Sequence, residues 1–321
     1  MSHANFEYMN KLGTKHTPFL FIIDFLKENV FVNALDQINP EHIQFTVNHV
    51  SNSNQANKDS AAYTFEKHPI SFETFKKGYD IVYKNLQQGN SYLTNYTAKT
   101  PISTDLSLQK IYQQSKAKYK LWFKDQFVVF SPEAFIKITD GKIYSYPMKG
   151  TINASIENAE HIILSDPKEM AEHATITDLI RNDLSRVATK VSVEKYRYVD
   201  RIKTNEHDLL QVSSEIRGEL PADFNESLGT ILNTLLPAGS ISGAPKEKTL
   251  EIIRESESYE RKYYTGVFGI YDGKNLDCGV MIRFIEKEDE QLFFKSGGGI
   301  TIKSDARKEY QEMINKVYLS F

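Results

Sequence analysis

The chain has 321 residues, 40% hydrophobic and 25% charged, with a formal net charge of −3, an ordinary balance for a globular protein of one or two domains. That charge leaves no basic field to recruit nucleic acid, and no apolar run approaches the roughly 20 residues needed to cross a bilayer. One cysteine, Cys278, rules out an internal disulfide; with no secretory pattern in MSHANFEYMN and no Cys/His spacing for zinc, a reducing, cytoplasmic setting is expected.

Residues 14–50 alternate short apolar runs with polar breaks, which predicts β-strands, and SNSNQANKDSA (51–61) reads as a loop within a domain. Ser71 opens a helix with Phe72, Phe75, Tyr79, Val82 and Leu86 on one side, stopped at Gly89-Asn90, and SYLTNYTAKT predicts a strand. Tyr119 to Thr151 is strand-rich, with Asp140-Gly141 as a hairpin turn, which implies a sizeable antiparallel sheet. SDPKEMAEHATITDLIRNDLSRV (165–187) predicts a helix capped by Asp166, with Pro167 in its first turn and Ile176, Leu179, Ile180, Leu184 and Val187 on its buried face. VSVEKYRYVDR reads as strand, HDLLQVSSEIRGEL is ambiguous, and residues 223–236 predict a helix. LPAGSISGAP is a loop feeding a helix that starts near Pro245; three more strands and SGGGI lead into a final helix, Asp305 to Leu319. Strands at both ends with helices between favour one α+β domain with helices packed on large, mostly antiparallel sheets.

Two helices each carry E-x-x-E: Glu169 and Glu172, then Glu309 and Glu312. On either helix alone these describe a solvated acidic face, and Glu312 four residues before Lys316 reads as a surface pair contributing about 0.2–0.5 kcal/mol. Together the two pairs offer an oxygen-only cage suited to Mg²⁺. The Gly243 loop offers backbone N–H groups at a helix start, and Gly297-Gly298-Gly299 a possible backbone nest; for each the bland alternative is a tight turn. GSISGAPK is no P-loop, because Ala244-Pro245 stand where glycine must precede the lysine. Arg283 reads as an apolar-flanked strand arginine that needs an anionic partner. Lys149, between Met148 and Gly150, could be desolvated, which would lower its pKa and free a nucleophilic amine. Glu133 in Ser-Pro-Glu is a possible general acid or an ordinary turn residue.

Six segments in order resemble the chorismate-utilising enzyme family over roughly residues 70–321: SPEAF (131–135), PMKGT (147–151), DPKEMAEHATITDLIRNDLSRV (166–187), LPAGSISGAPKEKTLEII (236–253), GVMIRF (279–284), and SGGGI with EYQEMINK (296–300, 309–316). The resemblance implies a single domain with two large, mostly antiparallel sheets and helices outside. It implies Mg²⁺ held by Glu172 and Glu312, with Glu169 and Glu309 helping directly or through water, and bound to the ring carboxylate of chorismate. Backbone groups of Gly298, Gly299 and the Gly243 loop would hold carboxylate oxygens. Arg283 would pair with the enolpyruvyl carboxylate, Thr151 would hydrogen-bond near the ring carboxylate, and Glu133 would protonate the departing C4 hydroxyl.

Lys149 chooses among family members. The aminodeoxychorismate synthases typically read P-I-K-G-T here, and the anthranilate, isochorismate and salicylate enzymes alanine in place of the lysine. By resemblance Lys149 attacks C2 of chorismate, and ammonia then adds at C4. The chain reads leucine, Leu93, where the isochorismate and salicylate enzymes have a water-activating lysine. It also departs from the family at Gln211, where histidine is usual, and at Ile270, where a tyrosine is expected. The region before residue 70 is short compared with members that carry a tryptophan-binding segment, so that form of feedback is not expected. No segment resembles a glutamine amidotransferase, so a separate glutaminase subunit is expected to supply ammonia. The competing expectations are an anthranilate or isochorismate synthase with Lys149 as bystander, and a silent subunit that scaffolds an amidotransferase.

Overall fold

Strand Phe19–Ile23 is buried at all five positions, and its two faces define the layers of the molecule. In the computed structural model, which describes residues 2–53, 62–202, 208–319 and 321, Phe19, Phe21 and Ile23 pack with helices, whereas Leu20 and Ile22 pack with a second sheet. Side chains alternate across a strand, so a continuous apolar run requires cover on both faces. Strand Phe127–Ser131 behaves alike from the other sheet: Phe127 and Val129 turn inward, and Val128 and Phe130 turn out to helix Leu108–Gln114.

Each sheet has nine strands among the described residues. The first runs Met148–Asn153, Leu209–Glu219, Lys142–Ser145, Ala134–Thr139, Leu276–Val280, Val267–Tyr271, Phe19–Ile23, Val30–Ala34, with Thr189–Ile202 also on Leu209–Glu219. The second runs Gly243–Ala244, Leu93–Thr104, Gln291–Ile300, Phe284–Glu288, Phe127–Ser131, Tyr119–Phe123, Ile43–Val47, Val50–Ser51, with Phe65–Lys67 also on Leu93–Thr104. The pairings are antiparallel, and helices lie on the outer faces, as the sequence predicts.

The chain changes sheets at two places that matter for the site. Ser131-Pro132-Glu133 leaves the second sheet for the first, and Met281-Ile282-Arg283 does the same in the opposite direction. The two crossovers lie side by side: the Phe130 N–H donates to the Arg283 carbonyl at 3.1 Å, and the Val280 N–H to the Glu133 carbonyl at 3.1 Å. Glu133 and Arg283 are therefore brought to one junction by topology.

The capping signals are realised. Ser71 accepts from the Thr74 N–H ahead of helix Phe72–Gln87, Asp166 from the Glu169 N–H ahead of Pro167–Leu184, and Asp305 from the Arg307 and Lys308 N–H groups ahead of Ala306–Asn315. Asp140 and Gly141 both take positive φ, as a two-residue hairpin requires. The structure differs from expectation elsewhere. Helices Ser2–Thr14 and Ala159–Ser165 carried no recognised start signal. The acidic helix ends at Leu184, with residues 185–187 in a turn, and the ambiguous segment forms strand Leu209–Glu219. Of the expected loop at 51–61, residues 54–61 lie outside the described residues.

Candidate functional site

Strand Met148–Asn153, from the first sheet, and strand Gln291–Ile300, from the second, face each other across a cavity of about 680 Å³. The two E-x-x-E helices line it as well, and so do the crossover residues Glu133 and Arg283. All four glutamates, Lys149, Thr151, Gln211, Arg283, Gly298, Gly299 and Lys316 reach this cavity. The sequence-spaced candidates thus meet in one place.

Glycine makes the close approaches possible. Gly150 has φ +88°, and a Cβ there would lie 2.9 Å from Glu169 Oε2, so the left-handed backbone and the carboxylate both require glycine. A Cβ on Gly298 would lie 3.4 Å from Glu309 Oε2, 3.6 Å from Lys316 Nζ and 3.7 Å from Glu312 Oε1. The expected nest at Gly297–Gly299 is instead extended strand, with Gly298 opposite Tyr96 and Gly299 opposite Asn95. Its lack of side chains opens space for charged groups from the final helix.

Two of the glutamates in the cavity are paired with lysines. Lys149 Nζ lies 2.9 Å from Glu172 Oε2, and Lys316 Nζ 2.7 Å from Glu312 Oε1. Lys316 also donates to the Gly297 carbonyl at 2.8 Å. The expected Glu312–Lys316 pair exists and lines the cavity, with Glu312 still exposed to solvent, whereas Glu309 is buried. Burial pulls the Lys149 amine down, yet the Glu172 carboxylate, followed by Glu312 and Glu169, outweighs it and holds the amine above its usual value. The expectation of a lowered Lys149 pKa is therefore reversed, because the carboxylate partner 2.9 Å away was not visible in the local sequence.

Glu133 is a partly buried carboxyl that lines the cavity. Burial pushes its carboxyl above the usual range, and the Ser240 hydroxyl, Lys316, Arg283 and Lys149 only partly offset this. The Ser240 hydroxyl donates to Glu133 Oε1 at 3.0 Å. Arg283 lies just before strand Phe284–Glu288, not within it, at φ +52°; a non-glycine residue held there points to a functional constraint. Its guanidinium stacks 4.9 Å from the Tyr318 ring centroid and donates to the Lys316 carbonyl at 3.3 Å.

Gly243 is placed differently from expectation. It pairs with Thr94 in the second sheet, and its loop reaches the cavity through Ser240 and Ile241. Ile270 is a core residue between the sheets. Cavity residues that the sequence reading missed include Ser240, Tyr264 and the buried Lys295. Ser240 lay within a segment already singled out, but only its backbone had been considered.

An oxygen-only donor set fits a hard cation such as Mg²⁺ in chemistry. Among the described residues, no three His, Cys, Asp or Glu side chains form a ready-made metal cluster. Glu172 and Glu312 are instead paired with Lys149 and Lys316, and a cation would compete for those two carboxylates.

The family model for chorismate binding enzymes matches residues 13–320. A Haemophilus influenzae protein called "uncharacterized PabA-like protein" is 51% identical over 313 residues, 98% of this chain and 95% of that one. Anthranilate synthase component 1 of Acetivibrio thermocellus is 30% identical over 312 residues, 90% of this chain and 61% of its own. The menaquinone-specific isochorismate synthase MenF of Escherichia coli shares the fold at a TM-score of 0.74 and 14% identity, covering 98% of this chain and 80% of that one. The family model spans nearly the whole chain and the two-sheet fold agrees with it, so the chain belongs to the chorismate binding enzyme family.

Proposed function

We propose that the chain is an aminodeoxychorismate synthase of the component I type, converting chorismate and ammonia to 4-amino-4-deoxychorismate, a precursor of p-aminobenzoate and folate. The observation that carries this reading is Lys149: its amine lies in the cavity beside Glu172 and 4.0 Å from the Cβ position of Gly299. Leu93, whose Cδ1 lies 2.9 Å from the same Cβ position, supplies no base to activate water.

The neutral Lys149 amine adds to C2, the ring double bonds shift, and the C4–O bond breaks. Glu133 gives its proton to the departing hydroxyl, which leaves as water. Ammonia then adds at C4, the double bonds shift back, and the C2–N bond to lysine breaks. Arg283 pairs with the enolpyruvyl carboxylate, and Thr151 with the region of the ring carboxylate. Mg²⁺ held by Glu172 and Glu312, with Glu169 and Glu309 beside them, would offset the charge of a dicarboxylate among four glutamates. A cation held by Glu172 would weaken that carboxylate's hold on the Lys149 proton.

Ammonia comes, on this reading, from a separate glutamine amidotransferase subunit. Cys278 is fully buried, its thiol donates to the Ile136 carbonyl, and burial pushes its pKa up, so it is not a glutaminase nucleophile. A second reading, anthranilate synthesis with Lys149 as bystander, is favoured by the 30% identity to an anthranilate synthase component.

Product analysis decides between them. The purified chain is incubated with chorismate, Mg²⁺ and an ammonium salt at mildly alkaline pH, and the products are separated with mass detection. Aminodeoxychorismate that disappears on chelation supports the proposal. Anthranilate, isochorismate or salicylate overturns it within the same family, and no turnover with or without a glutaminase subunit points to a silent subunit.

A further inference from the structure

Outside the catalytic groups, the most heavily engaged polar side chain near the cavity is Arg261. It sits in the connection between helix Lys246–Ser256 and strand Val267–Tyr271, and it is 4% exposed. Each of its five N–H donors has a partner. Nε and Nη2 grip Glu257 at 2.9 and 2.6 Å. Nη1 donates to the Ile241 carbonyl at 2.9 Å and the Thr265 hydroxyl at 3.3 Å, and Nη2 to the Asn95 carbonyl at 2.6 Å. The guanidinium also stacks 4.6 Å from the Phe25 ring centroid. Arginine has five donors in a rigid fork, so this set is saturated, and a lysine could not span it.

The two carbonyls belong to two separate pieces of one cavity wall. Ile241 follows Ser240, whose hydroxyl holds Glu133. Asn95 lies opposite Gly299 in the second sheet and two residues after Leu93. Glu257, the other end of the clamp, accepts from both the N–H and the hydroxyl of Thr97, which lies opposite Gly297. One buried ion pair thus fixes the loop that orients the acid and the strand that backs the glycines.

We propose that Arg261 is a positioning residue: anchored on Glu257, it ties the Ser240–Ile241 loop to strand Leu93–Thr104 and so sets the Ser240 hydrogen bond that aims the Glu133 carboxyl into the cavity. It touches no reacting atom, and its effect passes through Ser240. This inference rests on the reading of Glu133 as the general acid. Lys149, Arg283 and Lys316 also bear on Glu133, and a change at Arg261 leaves those three side chains in place. Loss of the Ser240 donor removes a contact that favours the ionised carboxylate, so the Glu133 pKa rises and the alkaline limb of activity moves to higher pH.

The test compares Arg261→Lys with wild type by two readouts. The first is amide hydrogen exchange of the full chain without substrate. Exchange should quicken selectively in residues 239–244 and 92–97, while core strand Tyr119–Phe123, held between Ile43–Val47 and Phe127–Ser131, stays protected. The second is the pH profile of chorismate consumption. The expected result is kcat lower by about 10–100-fold, KM little changed, and the alkaline limb displaced upward, with Ser240→Ala reproducing the displacement. Unchanged exchange in either segment, a uniform loss of protection, or an unmoved limb with normal kcat per folded molecule each overturns the proposal. If wild type consumes no chorismate, the functional reading fails, and the exchange pattern alone decides the clamp. Should Arg261→Lys not fold, Glu257→Gln, which keeps the volume and weakens the anchor, is measured by the same two readouts.

Discussion

The Lys149 amine and the Glu172 carboxylate stand 2.9 Å apart in the shared cavity, so the proposed nucleophile and a proposed metal ligand are each other's counter-ion. A cation that engages Glu172 competes with Lys149 for it. Removing the amine removes the competitor. Lys149→Ala should therefore bind Mg²⁺ about fivefold or more tightly than wild type, measured by calorimetry without substrate at fixed pH. Equal affinity would separate the cation from Glu172.

Lys149→Arg isolates nucleophilicity from charge. The guanidinium keeps a positive charge beside Glu172, but it stays protonated and cannot attack carbon. Thermal stability should stay close to wild type while aminodeoxychorismate falls below detection by mass analysis. Continued amination by Lys149→Arg would remove the lysine from the covalent role.

How much of this was legible in the sequence depends on range. Local signals carried the helix starts: Ser71, Asp166 and Asp305 each accept from N–H groups of the turn that follows. The two-sheet architecture came through family resemblance, and the structure explains the apolar run Phe19–Ile23 by cover on both its faces. The gathering of Glu169, Glu172, Glu309 and Glu312 came through family resemblance, since E-x-x-E alone describes a wet helix face. What stayed hidden was long-range. Ser240 meets Glu133 across 107 residues, and Arg261 meets Asn95 across 166. No local pattern encodes such pairs, and the direction of the Lys149 pKa was misread for the same reason. The triple glycine was misread because extended and turned glycines look alike without the partner strand.

The two glycines facing carboxylates should respond differently to alanine. Gly150→Ala places a side chain at φ +88° and 2.9 Å from Glu169 Oε2; it should destabilise by about 1–2 kcal/mol in denaturant unfolding. Gly298 has no such backbone demand, and its nearest neighbours are the flexible ends of Glu309, Lys316 and Glu312. Gly298→Ala should keep stability within about 1 kcal/mol of wild type but raise KM, because the methyl enters the space meant for substrate.

Arg283→Lys keeps the charge and the left-handed backbone but loses the planar fork. A role in gripping a carboxylate predicts a KM for chorismate raised by about tenfold, equivalent to 1.4 kcal/mol, with kcat nearly unchanged. A fall in kcat alone would instead assign the guanidinium to the reaction step.

Glu133 couples function to a stability cost whose sign can be worked out. Burial raises its pKa in the folded chain above the unfolded value of about 4.3. Between those two values the folded state binds more protons than the unfolded state, so stability falls as pH rises. Below the unfolded pKa the cost is absent, and above the folded pKa it is complete. Glu133→Gln keeps the shape and an acceptor for the Ser240 hydroxyl but carries no charge to bury. Its Tm should match wild type near pH 4, exceed it as pH rises, and level off at a constant excess above the folded pKa in scanning calorimetry. If Glu133 is the proposed general acid, the same substitution removes its proton, so turnover should fall by about 10²–10⁴-fold. A variant that is equally stable at both pH values would mean that the carboxyl is not desolvated, and full activity would mean that the departing hydroxyl takes its proton from elsewhere.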